Sequence, residues 1–240
     1  MKISICIVAT HKYIKFLPKL IESINQHWML DLSTDLHIFT NRTKDCDLLL
    51  SQTDFERGTI HYHEVEHAPW PAATLYRFHF FKKYMRSITG HYVFYIDADT
   101  IITSPITKEI LSPRTVVQHC GFVNGGGSWE TNKESKSFVP MSQRNIYFGG
   151  GFYGMDIVNF KLITDTAINM INEDLAKGIM PVFHDESVLN CIIANMGYTK
   201  LLSPSYHYPE NNPRIWKSWK EQYPCKILLL DKNHKEMRTE

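Results

Sequence analysis

The sequence predicts an α/β fold, an open mixed sheet flanked by helices, in a single domain covering residues 1–240. Three observations carry this. Short β-branched apolar runs alternate with stretches of helical periodicity. One of those runs stops abruptly at two aspartates, at the strand end where open sheets meet their ligands. No internal repeat, low-complexity tract or Pro/Gly/Ser-rich linker divides the chain, and a 43% hydrophobic content is enough to bury one large core.

Residues 3–9 open the pattern. Ile3, Ile5, Ile7 and Val8 are β-branched and nearly uninterrupted by polar groups, which suits a strand covered on both faces. The turn 10–13 then lies at that strand's carboxyl end and is a ligand-site candidate on topology alone. Leu17, Leu20, Ile21, Ile24 and Trp28 follow at helical spacing, and residues 36–39 read as a second strand. Residues 40–57 are polar and give no periodic signal, and a third strand is expected near 60–65. Trp70-Pro71-Ala72-Ala73 leads into an amphipathic helix over 74–86, with Leu75, Phe78, Phe81 and Met85 on its apolar stripe and Arg77 and His79 off it. Residues 92–96 form a buried-type strand that ends in Asp97-Ala98-Asp99. The second half contributes a glycine-rich apolar segment over 147–154, a long helix over about 156–175, another helix from His184, and a last strand-like stretch at 227–230.

Composition excludes several classes of function. Lys plus Arg number 26 against 25 for Asp plus Glu, a net charge of +1, so no basic excess attracts a polyanion and nucleic acid is set aside. The five cysteines are odd in number, widely spaced and without a CxxC pair, which predicts free thiols in a reducing compartment rather than a disulfide framework or a zinc knuckle. The apolar run after Ser4 is five residues long, short of a signal-peptide core and of a membrane span. The chain reads as soluble and cytoplasmic.

Chemistry first enters at Asp97 and Asp99. Residues at i and i+2 of an extended segment project to the same side, so the two carboxylates can share one divalent cation, and hard oxygen donors suit Mg²⁺ or Mn²⁺ completed by substrate phosphates. A solvated turn or helix cap is the other reading of the same pair. His184-Asp185-Glu186 precedes an apolar helical stretch, where acidic residues complement the helix dipole and can serve as a cap. Gly149, Gly150, Gly151 and Gly154 weaken a strand that could have used side chains, which implies a bend or a close approach by a ligand or another backbone.

In order along the chain, Trp70-Pro71-Ala72-Ala73-Thr74-Leu75-Tyr76-Arg77-Phe78, Tyr95-Ile96-Asp97-Ala98-Asp99, His119-Cys120-Gly121-Phe122, Gly150-Gly151-Phe152-Tyr153-Gly154, Phe183-His184-Asp185-Glu186-Ser187 and Asp231-Lys232-Asn233-His234 with Arg238 resemble glycosyltransferase family six. That family holds the histo-blood-group A and B transferases, the α1,3-galactosyltransferase, the Forssman synthase and bacterial and phage relatives. The resemblance spans Ile7 to Arg238.

It implies a GT-A type nucleotide-diphosphosugar transferase fold. Residues 1–104 would form mainly the nucleotide- and metal-binding lobe, 105–230 mainly the acceptor and sugar lobe, and 231–240 a mobile tail. The implied reaction transfers galactose or N-acetylgalactosamine from the UDP sugar to the 3-hydroxyl of a β-galactoside acceptor, with retention of configuration. On the same basis Asp97 and Asp99 would bind Mn²⁺ or Mg²⁺, Val8, Ala9 and Tyr13 would line the uridine pocket, and Arg77 and Asp185 would hold the donor. Gly149, Gly150 and Gly151 would floor the donor sugar, and Lys232 with Arg238 would close over the diphosphate. His119, Phe183 and Glu210 would touch the acceptor. Glu186 would stand beneath the anomeric carbon as nucleophile or electrostatic stabiliser, also facing the acceptor. With no side chain at Gly149 or Gly151, room for a C2 acetamido group favours UDP-N-acetylgalactosamine over UDP-galactose. Phe183 stands where tryptophan is usual, and His119-Cys120-Gly121 where His-Pro-Gly is usual. The bacterial and phage members lack the membrane anchor of the mammalian ones, in keeping with the cytoplasmic reading. Two readings from other classes are a catalytically idle nucleotide-sugar or glycan-binding module, and a glycosidase using Glu186 with Asp97.

Overall fold

A computed structural model describes residues 1–211 and 221–238, with the side chain of Arg238 and residues 239–240 outside the described set. Ten strands and seven α-helices follow one another as β1 Lys2–Val8, α1 Leu17–His27, β2 Ser33–Thr40, α2 Thr43–Leu50, β3 Ile60–Glu64, α3 Ala72–Leu75, α4 Arg77–Lys83, β4 Tyr92–Ile96, β5 Thr100–Ile102, β6 Arg114–Gln118, β7 Phe148–Asp156, α5 Ile157–Ala176, α6 His184–Met196, β8 Lys200–Leu202, β9 Tyr208–Pro209, β10 Ile227–Leu229 and α7 His234–Arg238. Seven strands form one mixed sheet in the order β3-β2-β1-β4-β7-β6-β8, and β5, β10 and β9 form a small second sheet.

The expected α/β class and its opening strand-helix-strand unit are present. β1 runs parallel to both β2 and β4, with Cys6 registered against His37 and Tyr95. Alternation along these strands divides the core between the two faces of the sheet. Ile3, Ile5, Ile7, Leu36, Ile38 and Phe94 pack beneath Leu17, Leu20, Ile21 and Ile24 of α1. Cys6, Phe39, Val93 and Tyr95 face α4, α5 and α6 through Phe81, Phe160, Ile163 and Val188. Burial on both faces is why β1 reads as a continuous apolar run.

Three local readings change. Residues 43–50, inside the stretch read as polar and aperiodic, form α2, which buries only Cys46 and Leu50 and so shows almost no apolar stripe. The helix expected over 74–86 is broken at Tyr76 into α3 and α4 and ends at Lys83, with Tyr84 swung out to donate its hydroxyl to the Glu64 carbonyl at 2.6 Å. Trp28 lies just past the end of α1, where its extended backbone bridges to Ile106. The glycine-rich segment is the first half of β7, a nine-residue strand antiparallel to β4 and β6, and the irregularity its glycines imply is a register shift against β6, where Val116 faces Tyr153 but Gln118 faces Phe148.

From β1 the chain steps outward through β2 to β3 and then crosses back to β4 on the other side of β1. The β1/β4 boundary is therefore the switch point, and a crevice opens there beyond the strands' carboxyl ends. Among the described residues no helix is long and apolar enough to cross a membrane, and all five cysteines are free thiols.

A row of stacked imidazoles ties β2 to β3 on the α4 side of the sheet. His37 and His63 rings lie 5.3 Å apart and nearly parallel, and His37 Nδ1 meets His63 Nε2 at 3.0 Å. The Gly90 amide donates to Ser4 Oγ at 3.0 Å, and that hydroxyl meets His37 Nε2 at 3.2 Å. Neutral rings satisfy the whole chain, with Ser4 donating to Nε2 and His37 Nδ1–H donating to His63. Burial, then the neighbouring histidines, pushes His37 down to about 3, and burial followed by His61 pushes His63 to about 4. Asp35, on the Lys2 ammonium and 3.3 Å from His61 Nε2, opposes this only weakly at His37. The unfolded chain takes up these protons near pH 6.5 whereas the folded chain does not. Stability is therefore complete above about pH 6.5 and falls by roughly 1.4 kcal/mol per pH unit per ring below it. Urea unfolding at pH 5 is expected to give a free energy about 2–4 kcal/mol below that at pH 7.5, and equal values would show that the pair protonates freely in the fold.

Candidate active site

The crevice is walled on one side by Val8, Thr10, His11 and Tyr13, directly after β1, as the topology of the turn 10–13 predicts. Its far wall comes from His67, Trp70 and Thr74 ahead of α4, and its floor from Arg77, Tyr95, Asp97 and Asp99. Ala9, expected on the wall, is fully buried one residue behind it, with its amide donating to the Phe39 carbonyl at 2.9 Å. The segment 231–238, which the sequence reads as a mobile tail, lies across the opening: Lys232 and Met237 line it, and Met237 is buried.

Arg77 occupies the centre. The break at Tyr76 starts α4 with this residue, and its guanidinium passes beneath the end of β4 with 7% exposure. Nη2 lies 3.2 Å from Asp185 Oδ2 and 3.7 Å from Asp97 Oδ1, Nη1 donates to the Gly150 carbonyl at 3.1 Å, and the group stacks 4.2 Å above the Tyr95 ring. Burial works against its charge, but Asp185, Tyr95 and Asp97 outweigh burial and hold it firmly protonated. Asp185 is raised by burial, which Arg77 partly offsets. One cation thus joins the strand-end aspartate to the start of α6.

Asp97 follows β4 directly, its Oδ1 accepting from the Tyr95 hydroxyl at 2.5 Å. Asp99 is buried and paired with the Lys232 ammonium, which also sits 4.9 Å from the centre of the Tyr13 ring. Burial and then the Asp97 charge raise Asp99 above the ordinary carboxylate range, against the pull of Lys232. Two carboxylates pressed together at a strand end call for positive charge, and here Lys232 supplies it. A hard divalent ion answers the same demand, so the donor set fits Mg²⁺ or Mn²⁺ with phosphate oxygens completing its shell.

Glu186 lies one residue beyond Asp185 in the first turn of α6. Its Oε2 accepts from the Gly150 amide at 2.8 Å, while Gly150's carbonyl takes Arg77, so both carboxylates are registered on one glycine. Burial raises Glu186 to about 7, with the Gly150 amide and Tyr147 pulling the other way. Asn190, one turn on, accepts from the Phe148 amide and donates to the Phe148 carbonyl, both at 2.8 Å, and so pins α6 to the start of β7. The helix-cap reading of Asp185 and Glu186 gives way: Phe183 in the cap position makes no side-chain cap, and both carboxylates point to β7 and Arg77.

The glycine floor is not open space. A Cβ on Gly149 would lie 2.8 Å from the His207 ring, and one on Gly151 2.8 Å from Asp97 Oδ2 and 3.1 Å from His207 Nε2. His207 is therefore the wall of this part of the site, a residue that sequence reasoning missed because it lies in a short irregular stretch after β8. It is 7% exposed, and burial, followed by His119, lowers it to about 3, so it is neutral. His119 lies beside it, ring centres 5.3 Å apart, and Phe183 is 46% exposed on the rim. Glu210 stands elsewhere, at the root of the tail, where its carboxylate accepts from the Asp231 amide at 2.7 Å. The side chain of Arg238 lies outside the described residues. Asn190, His67, Trp70 and Met237 are further site residues unassigned from sequence; only Trp70 belongs to a motif that could have flagged it.

The arrangement gathers a strand-end carboxylate pair, a covering lysine, and a second acidic pair fixed to a glycine floor. The model of glycosyltransferase family 6 matches residues 1–239. The histo-blood group ABO system transferase 1 of Rattus norvegicus is 26% identical over 246 residues, covering 99% of this chain and 68% of its own. The globoside alpha-1,3-N-acetylgalactosaminyltransferase 1 of Gallus gallus is 24% identical, covering 100% and 70%. The O-antigen biosynthesis glycosyltransferase WbnI of Escherichia coli is 27% identical, covering 97% and 95%. A mixed sheet with its acidic cleft at the β1/β4 switch point and a family match over almost every residue lead to one conclusion: the chain belongs to glycosyltransferase family 6.

Proposed function

We propose that the protein is a retaining α1,3-glycosyltransferase that moves N-acetylgalactosamine, and galactose less well, from the UDP sugar to the 3-hydroxyl of a β-galactoside. The observation that carries this reading is Arg77, which links the aspartate after β4 to the acidic pair of α6. A transferase must fix the group that holds the diphosphate relative to the group that faces the sugar, because small misplacements forfeit much of the rate. The linkage and the sugar are supported by the chicken relative, whose name is that of an alpha-1,3-N-acetylgalactosaminyltransferase. A cytoplasmic setting, in keeping with five free thiols, belongs to the same proposal.

The uridine would lie along Val8 and Tyr13. Asp97 and Asp99 would hold Mn²⁺ or Mg²⁺, whose charge offsets the negative charge growing on the departing UDP. Lys232 adds a second positive charge at the same place, with Arg238 as its expected companion. Asp185, steadied by Arg77, orients the sugar. Glu186, held by the Gly150 amide, faces the anomeric carbon as nucleophile or as stabiliser of an oxocarbenium-like species. Its raised protonation range marks a carboxylate short of hydration, and such a carboxylate acts strongly on a developing cation. His119 and Phe183 would meet the acceptor, and His207 would bound the space at the sugar's C2.

UDP release from UDP-N-acetylgalactosamine and a β-galactoside is expected to stop in EDTA and return with Mn²⁺. Full turnover without metal rules out the metal assignment, no UDP release with any donor leaves a binding module, and sugar release without nucleotide points to a glycosidase.

Glu186→Gln keeps the shape and removes the charge, and transfer should drop by at least ~10²-fold. Near-normal turnover by the folded variant would confine Glu186 to bracing Gly150.

Competition between the two donors on one acceptor is expected to favour UDP-N-acetylgalactosamine, and His207→Ala should widen that preference by roughly 10-fold or more. Gly151→Ala, whose methyl would press on Asp97 and His207, should instead depress both donors together. A wild type that prefers UDP-galactose would overturn the donor assignment.

A further inference from the structure

The family's cation chemistry rests on the two strand-end carboxylates, but a second group of ligand-type side chains stands a few ångströms away. His119, Cys120 and His207 each bring one ligand atom within 4.8 Å of the others. They arrive from two places: His119 and Cys120 from the turn after β6, and His207 from the turn between β8 and β9. No sequence spacing could reveal them, since 87 residues separate Cys120 from His207.

Two independent features mark the group as more than a packed cluster. His207 is 7% exposed, and its Nδ1 is buried with no hydrogen-bond partner among the described residues, an unfavourable state for a polar atom. One of its ring nitrogens lies within the group, and its ring is 5.3 Å from that of His119. Cys120, 6% exposed, adds a thiol shielded from water on the same side.

We propose that His119, Cys120 and His207 form a second cation site, specific for a borderline-soft transition ion of the Zn²⁺ type and separate from Asp97 and Asp99. Thiolate and imidazole select such ions, whereas paired carboxylates select Mg²⁺ or Mn²⁺, so the two sites sort cations by chemistry. Bonds of about 2.0–2.3 Å bring tetrahedral donors to roughly 3.5 Å from one another, so the three side chains close by about 1 Å on binding. His119, the more exposed of the three, leaves the fourth position toward solvent. The balance is simple: the Cys120 thiol gives its proton to solvent and the sulfur lone pair goes to the metal. His119 gives up one hydrogen bond, because its Nδ1 accepts from the Gly121 amide at 2.9 Å: a metal on Nδ1 takes that lone pair, and a metal on Nε2 requires the ring proton to move to Nδ1. The charge left on the site, a divalent ion with one thiolate, is positive.

The test is titration with Co²⁺, a spectroscopic stand-in for Zn²⁺, and it needs no turnover. Purified protein, reduced and metal-free, is expected to take up one equivalent with a thiolate-to-cobalt charge-transfer band in the near ultraviolet and intense tetrahedral bands in the visible. Zn²⁺ should displace it, and excess Mg²⁺ should not. Cys120→Ser, nearly isosteric, should lose the charge-transfer band, while Asp97→Asn and Cys225→Ser keep it. His207→Leu should keep the thiol yet weaken uptake and shift the visible bands, and so covers the case in which Cys120→Ser fails to fold. No charge-transfer band in the wild type, or a band that survives Cys120→Ser, would overturn the proposal. Either failure would leave the proposed transfer reaction untouched, because that reaction uses the carboxylate pair.

Discussion

Everything in the site is referred to one buried guanidinium. Arg77 has almost no contact with solvent, and its charge is tolerated there because Asp185, Asp97, the Gly150 carbonyl and the face of Tyr95 surround it. Each of these would be costly alone: an unpaired buried charge carries several kcal/mol of lost hydration, and removing one partner from such a set destabilises by about 3–5 kcal/mol. Together they fix α4, β4, β7 and α6 at one point. The interruption at Tyr76 has its reason here, since an unbroken helix from 72 to 83 would present residue 77 at a different angle to the strand ends.

How much of this the sequence displays follows from the range of the interactions involved. β1, β4 with its aspartates, α5 capped by Asp156 and the start of α6 are written in local pattern, and each appears where the periodicity puts it. Asp97, Asp99, Asp185 and Glu186 are visible as motifs because each pair is adjacent or nearly so. What is hidden depends on distant partners. The glycines of β7 advertise missing side chains, but what stands in the space is His207, 56 residues after Gly151, so the pocket is smaller than the glycines alone suggest. α2 is hidden for a different reason, having too little buried surface to impose a stripe.

The imidazoles of His37, His63, His119 and His207 are buried as neutral packing groups. His37 and His63 satisfy each other across β2 and β3, whereas His207 leaves a nitrogen unpaired beside the reaction floor. The first pair stiffens the sheet at the cost of tolerance to acid. The second arrangement leaves an unmet hydrogen bond close to a cleft.

Asn190 carries a consequence for how such a protein can change over generations. Its carboxamide exchanges two hydrogen bonds with Phe148, as a neighbouring strand would, and donates a third to the Glu186 carbonyl at 2.9 Å. At that end of β7 the regular ladder with β4 has stopped, Ile96 and Phe152 being its last registered pair. The floor of the cleft is thus held by a side chain in addition to backbone, which contributes the Asp97 amide on the Gly151 carbonyl and the His119 amide on the Tyr147 carbonyl, both at 2.9 Å. A ladder cannot be edited one codon at a time, but a carboxamide can. The angle at which Glu186 meets the substrate is therefore heritable in small steps, open to drift and selection while the sheet that supports it stays fixed.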